Sequence, residues 1–164
     1  MEVQIEPVCI GQKSVLRQMM ELYLYDFSEF SHADIKENGY FGYAYLDAYW
    51  QEAGRFPFFI RADGRLAGFI LVRSCSEHNA LRDPHNIAEF FVLKKYRRHG
   101  IGREAACQIF DRFPGGWEVT QWDNNLPAQA FWQKVIAQYT GGEYRTFSVP
   151  EAEVSGFTFY HSAP

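Results

Sequence analysis

The chain has little cysteine: three in 164 residues, Cys9, Cys75 and Cys107, set far apart. They form no Cys-x-x-Cys pair and no Cys/His spacing, so a zinc module is not expected. An odd count without a signal peptide fits a reducing cytoplasm, the expected location. No apolar run approaches the roughly 18 residues a bilayer crossing needs, so no membrane partner is expected. Positive charge is not in excess either. The formal net charge is −4, which makes a general nucleic-acid partner a poor expectation. A Walker-type phosphate loop and its magnesium-binding hydroxyl are missing, and no metal is expected. There is no repeat, low-complexity tract or long linker. Residues 1–164 read as one domain, long enough to bury a core.

What is abundant is aromatic: 18% of the chain, with 15 Phe, 10 Tyr and 4 Trp. Such side chains pack cores, and Tyr and Trp also line apolar pockets with polar tips. "VQIEPV" alternates as a strand. From Ser14 to about Phe30, Val15, Leu16, Met19, Met20, Leu22, Tyr23 and Phe27 follow helical spacing, with Ser14 as the expected cap. "LDAYWQEAG" reads as a second short helix ended by Gly54. "RFPFFIRADGRLAGFILVRSC" is the clearest hairpin, two apolar strands around Asp63-Gly64. "NIAEFFVLK" is a third strand, most simply in an antiparallel meander. Helix follows at "IGREAACQIFDRF", stopped by Pro114-Gly115-Gly116, then a strand at "WEVTQW". "LPAQAFWQKVIAQY" is a helix with Pro127 in its first turn, and "GEYRTFSV" and "GFTFYHS" are two closing strands. The order predicts a mixed α/β fold with a mostly antiparallel sheet of about seven strands, about four helices and at least one parallel pair.

The segment "KKYRRHGIGR", Lys94–Arg103, stands out against the acidic background. Three readings compete. Gly100, Gly102 and Ala105 fit the dinucleotide spacing G-x-G-x-x-A. Six residues, Lys94 to His99, separate the strand from the first glycine, however, and a dinucleotide fold needs further βα units than the chain supplies. A solvated basic turn is the plainest alternative. The third is a phosphate cradle, in which a helix start offers free N–H groups, glycines allow close approach, and Arg and Lys add charge.

A second motif separates these readings. "RRHGIG" fits R/Q-x-x-G-x-G/A through Arg97, Gly100 and Gly102. About 20 residues on, "NLPAQAFWQK" is similar to N-x-x-A-x-x-F-Y-x-K through Asn125, Ala128, Phe131 and Lys134. With both motifs in order, the chain resembles the GNAT superfamily of N-acetyltransferases. The core of the resemblance runs from Asn86 to Tyr139, and the element order extends it over the domain. The resemblance implies a GNAT-like fold and acetyl-CoA as co-substrate. It implies a pyrophosphate cradle from Arg98, His99, Gly100, Ile101, Gly102 and Arg103, mostly through backbone N–H groups. Arg97 would hold the loop or reach a phosphate. The backbone of Phe91, Val92 and Leu93 would pair with the pantetheine arm beside a splayed, bulged strand, and the amide of Val92 or Leu93 would polarise the acetyl carbonyl. Asn125 would bond near the pantetheine and Phe131 pack near the cofactor, with Ala128 and Lys134 completing the motif.

Transfer to an amine needs a base. Glu89 is the candidate, as the one carboxylate within an apolar strand; its alternative is a half-exposed residue facing solvent. The family pattern has Tyr where this chain has Trp132, whose indole N–H is too weak an acid to protonate the leaving thiolate. Trp132 then shapes the pocket, and Tyr139, Tyr96 or water would be the acid; alternatively the chain is a non-catalytic acyl-CoA-binding sensor or regulatory domain. The acceptor, a small-molecule or peptide amine, is expected against the aromatic stretch Tyr40–Trp50, with Tyr43, Tyr45 and Trp50 as pocket residues. Asp26, Glu29 and Asp47 are candidates to steer a cation. The five histidines show no ligand spacing, and the assembly is open between monomer and homodimer.

Overall fold

Asp63 and Gly64 both take left-handed backbone angles (φ 48° and 75°), the geometry a two-residue hairpin turn requires. They join β2 (Arg55–Ala62) to β3 (Arg65–Arg73) in the computed structural model, which describes residues 1–162. The other strands are β1 (Val3–Pro7), β4 (Pro84–Val92), β5 (Gly115–Trp122), β6 (Arg145–Val149) and β7 (Val154–His161). The helices are α1 (Lys13–Ser31), α2 (Ala48–Gln51), α3 (Ile101–Arg112) and α4 (Leu126–Thr140). The seven strands form one sheet in the order β1-β2-β3-β4-β5-β7-β6. All neighbours are antiparallel except β4 and β5, the expected parallel pair.

Two apolar clusters cover the two faces. On one face α3 and α4 pack Ile109, Phe110, Trp132 and Ile136 onto Ile70, Trp117 and Phe159. On the other, α1 and α2 set Leu16, Met20 and Tyr49 against Phe59, Phe69, Leu71 and Phe91. Each fully buried Leu, Ile or Phe contributes ~1.5–3 kcal/mol, so the larger α3–α4 side carries most of the packing energy. The smaller side is left to be hollowed into a cavity.

Several boundaries differ from the sequence reading. α1 starts at Lys13, fed directly from a 3₁₀ turn at Ile10–Gln12, so Gln12 is the cap residue and Ser14 lies inside the first turn. α2 is a single turn. It ends at Gln51, and Gly54 (φ 78°) instead forms the bend into β2. Gly115 and Gly116 belong to β5 as well as following α3. β6 begins only at Arg145, because left-handed Gly141 and Gly142 close α4 first. Among the described residues no helix is long and apolar enough to cross a membrane.

Candidate active site

α3 begins at Ile101 behind Gly100, whose φ of 80° turns the chain into the helix. The first N–H donated back is that of Glu104, to the Gly100 carbonyl at 3.0 Å. The N–H groups of Ile101, Gly102 and Arg103 therefore point out of the helix start with its partial positive charge. Arg98, itself left-handed at φ 64°, and His99 are exposed beside them, as is Arg103. Gly102 sits in a tight contact. A Cβ there would lie 3.2 Å from the Phe131 ring and 3.6 Å from Val92 Cγ2. One contact thus brings together β4, α3 and α4 through three residues expected at the cofactor. Arg97 holds the loop: its Nε donates to the Val92 carbonyl at 2.8 Å and its Nη2 to Asp26. Asn125 caps α4, accepting the Ala128 N–H at 3.1 Å. Lys134 is exposed on the same helix.

β4 and β5 pair only from Pro84–Asn86 to Gly116–Glu118 and then separate. Beyond Asn86 the β5-facing edge of β4 pairs with no strand among the described residues. Leu93 donates its N–H the other way, to the Ala67 carbonyl at 2.8 Å. Strand alternation then turns the Val92 N–H toward the gap. Of the two expected carbonyl-polarising amides, Val92 is the one so placed.

A bulge decides what else faces this site. Leu71 pairs with Glu89 but Val72 pairs with Ile87, so Ala88 is an extra residue in β4. Residues three apart on a strand normally point to opposite faces. The bulge puts Asn86 and Glu89 on the same side, where both line a cavity of about 480 Å³ with Tyr43, Tyr45 and Thr120. Glu89 is partly buried and faces this cavity. Its Oε2 accepts the Tyr23 hydroxyl at 2.5 Å. Burial pushes its carboxyl above the ordinary glutamate range, partly offset by hydrogen bonding from Tyr23 and Tyr43. Burial, then the Glu89 charge, likewise pushes the Tyr23 and Tyr43 hydroxyls up. Tyr49 shifts for the same reasons, to about 12.

The aromatic stretch is only partly gathered here. Glu21 accepts the N–H groups of Phe41 (2.7 Å) and Gly42 (2.8 Å), which folds that loop over α1 and delivers Tyr43. Trp50 is elsewhere, its indole N–H donated to the Val8 carbonyl at 3.0 Å. Trp132 is in the core of the opposite face against Phe90 and Phe131. Tyr96 is buried in that core too, and Tyr139 donates to Asp111 at 2.7 Å beside His161. The three acids proposed to steer a cation are not on the cavity wall. Asp26 is paired with Lys94 and Arg97, Asp47 with Lys13 and Arg17, and Glu29 is exposed. The wall carries Arg55, Arg73 and Glu77, which the sequence reading did not single out.

Glu118 was also missed. It is 1% exposed on β5, yet it accepts N–H or O–H donors from Ser76, Glu77, His78 and Asn79. Burial raises its carboxyl, but these donors outweigh it and hold the group below its ordinary range. The loop after β3 is thereby fixed against β5 at the point where the strands part. The signal is in the sequence: Glu118 in "WEVTQW" is a second carboxylate in an apolar strand, so Glu89 is not the one such residue, and a run of polar loop residues is there to satisfy it.

Comparison with known proteins agrees with this architecture. A search of the curated proteins finds no match. Among solved structures, an acetyltransferase from Thermus thermophilus superposes with a TM-score of 0.73 at 13% identity, covering 98% of both chains. A GNAT-family acetyltransferase from Streptococcus agalactiae gives 0.72 at 13% identity, covering 98% of this chain and 96% of its own. The PaiA N-acetyltransferase of Thermoplasma acidophilum, solved with coenzyme A, gives 0.63 at 11% identity, covering 98% and 100%. At such identities these likenesses establish the fold alone. The sequence itself matches the Acetyltransferase (GNAT) family over residues 16–136, and with the splayed β4–β5 pair and the glycine turn into α3 in place, the chain belongs to that family.

Proposed function

We propose that the chain works as one acetyl-CoA-dependent N-acetyltransferase, with Glu89 as the base. The observation that carries this reading is the position of Glu89: a partly buried carboxylate on the cavity wall, three residues from Val92, where β4 leaves β5. The site fits acetyl-CoA on its own terms. Outward N–H groups and Arg98, His99 and Arg103 at the start of α3 suit a pyrophosphate. The unpaired edge of β4 suits an extended amide-bearing arm, and the bare Cα of Gly102 keeps α3 tight against Phe131. A relative in fold was solved with coenzyme A.

In the step itself an acceptor amine attacks the thioester carbonyl. The new C–N bond forms, the C–S bond breaks, and the amine proton goes to Glu89. A carboxyl whose affinity for protons is raised by burial is a better base near neutral pH than an ordinary glutamate. The Val92 N–H stabilises the developing oxyanion. Trp132 donates no proton, and the tyrosines around Glu89 hold theirs tightly. The thiolate therefore takes its proton from water.

A second reading, a non-catalytic acyl-CoA-binding module, is favoured by one observation, the buried Trp132 at the position where the family pattern has Tyr. The two are separated by following thiol release from acetyl-CoA against a panel of amines, amino acids, polyamines and peptides. Amine-dependent release with an N-acetylated product is the expected result. Tight coenzyme A binding with no product from any acceptor would overturn the catalytic reading.

A further inference from the structure

Arg55 and Arg73 are directly opposite each other on β2 and β3. Like charges in that relation repel and weaken a sheet. The pairing is also not what the hairpin turn alone would produce. Ala62 pairs with Arg65 and Arg61 with Leu66, but Ile60 pairs with Gly68, so Ala67 is an extra residue. Without that bulge Arg55 would oppose Val72, and Arg73 would be out of step. The fold thus goes out of its way to set two guanidinium groups side by side, and both line the cavity that holds Glu89.

Neither arginine is fully used. Arg55 donates Nε to Glu52 at 2.7 Å, and Arg73 donates Nη1 to Glu77. The other donors of Arg73 make no hydrogen bond among the described residues, and the Arg55 guanidinium lies over the Tyr49 ring, 5.5 Å from its centre. The arginine side chains are 18% and 30% exposed, while their acids are 57% and 48% exposed. The acids therefore form the outer rim, and the guanidinium groups sit deeper. Asn86, cross-strand from Arg73 and only 6% exposed, donates Nδ2 to Cys75 Sγ, and its Oδ1 has no partner among the described residues. The cavity thus offers two cationic forks, one unused buried acceptor and two carboxylates, Glu89 and, at the rim, Glu77, which is already paired with Arg73. A planar carboxylate matches the forks, since guanidinium binds it in bidentate fashion. Arg73 is two residues along β3 from Leu71, the partner of Glu89, roughly 7 Å of strand. A small molecule bridges that span.

We infer that the acceptor is an amino carboxylate, an amino acid or a compound of the same type, with its carboxylate held between Arg55 and Arg73 and its amine directed to Glu89. This rests on the acetyl-transfer reading above and names the substrate class for that site. It replaces the cationic acceptor that Asp26, Glu29 and Asp47 would have steered.

The test compares kcat/KM for each proteinogenic amino acid with that for its decarboxylated amine and its methyl ester, at saturating acetyl-CoA. The expected result is a preference of at least tenfold for the free carboxylate on the best side chain, carried by KM. In Arg55→Gln and Arg73→Gln that preference ratio falls at least tenfold, while coenzyme A affinity stays within about twofold and circular-dichroism melting shows a folded protein. Amines or esters used as well as the amino acids, or a preference that survives both substitutions, would overturn the inference. Calorimetric titration of the amino acids onto coenzyme A-loaded protein separates the two claims. Arginine-dependent binding without turnover supports the clamp and sinks acetyl transfer. Turnover of plain amines without carboxylate preference sinks the clamp and leaves acetyl transfer standing. No heat from any amino acid, alongside turnover of carboxylate-free amines, likewise overturns the clamp.

Discussion

The loop proposed to bind the cofactor's phosphates takes its groups from ten consecutive residues, Lys94–Arg103, whereas the proposed acceptor cavity draws on β2, β3, β4, β5 and the loops before α2 and after β3. The first is a local device. A glycine turn and a helix start suffice to aim three N–H groups, whatever surrounds them. The second exists only once the sheet is assembled, and it depends on two bulges, at Ala67 and Ala88, that re-aim side chains. A contiguous site tolerates distant change. A site made by register is lost if a strand slips by one residue.

That contrast is broken most sharply at Glu89. Glu89→Gln is expected to lower kcat by about 10²-fold, the low end of general-base contributions, and to leave the dissociation constant of coenzyme A within twofold. A parallel loss of coenzyme A affinity would mean the two regions are not separable. Next in size is Gly102→Val. The added carbons meet Phe131 and Val92, and overpacking of this kind costs ~1–3 kcal/mol. Weaker coenzyme A binding by tenfold or more and a lower melting temperature are expected, with KM for the acceptor little changed. Unaltered binding by calorimetry would remove Gly102 from the cofactor site.

Much of the first region was legible in the sequence, and little of the second. "RRHGIG" and "NLPAQAFWQK" are short-range patterns, and the elements they open, α3 and α4, begin where the patterns place them. Glu89 was legible as a carboxylate in an apolar strand. Arg55 and Arg73 were not, because pairing outward from Asp63-Gly64 leaves them out of register until the Ala67 bulge is known. Trp50 and Trp132 illustrate the reverse difficulty. An aromatic suited to a pocket is equally suited to a core, and sequence carries no sign of which face a tryptophan takes when both faces are apolar. Gly102 reads in the sequence as a place for an anion to approach the backbone; in the structure a phenylalanine ring, Phe131, approaches it.

Two smaller effects sharpen the comparison further. Arg98→Ala removes an exposed charge and no packing, so a severalfold weakening of coenzyme A binding is expected, fading at high salt. Titrating affinity against ionic strength checks it, and a salt-independent loss would point to backbone change instead. Stability should respond to pH through Glu89. Its folded-state affinity for protons is raised, so its stabilising share is full below the ordinary glutamate range and is lost as pH rises through the folded value. Glu89→Gln should therefore melt higher than the wild type at neutral pH. The gap should shrink as the pH is lowered through the carboxylate range, and a gap independent of pH would show that the carboxyl is not penalised by burial.

The most direct measurement is the pH dependence of single-turnover acetyl transfer at saturating acetyl-CoA, in the wild type and in Glu89→Gln. With Glu89 as base, the wild-type rate climbs with pH along a limb lying above the ordinary glutamate range, and the variant is at least tenfold slower with that limb gone. A variant that keeps both the rate and the limb would contradict the assignment of Glu89.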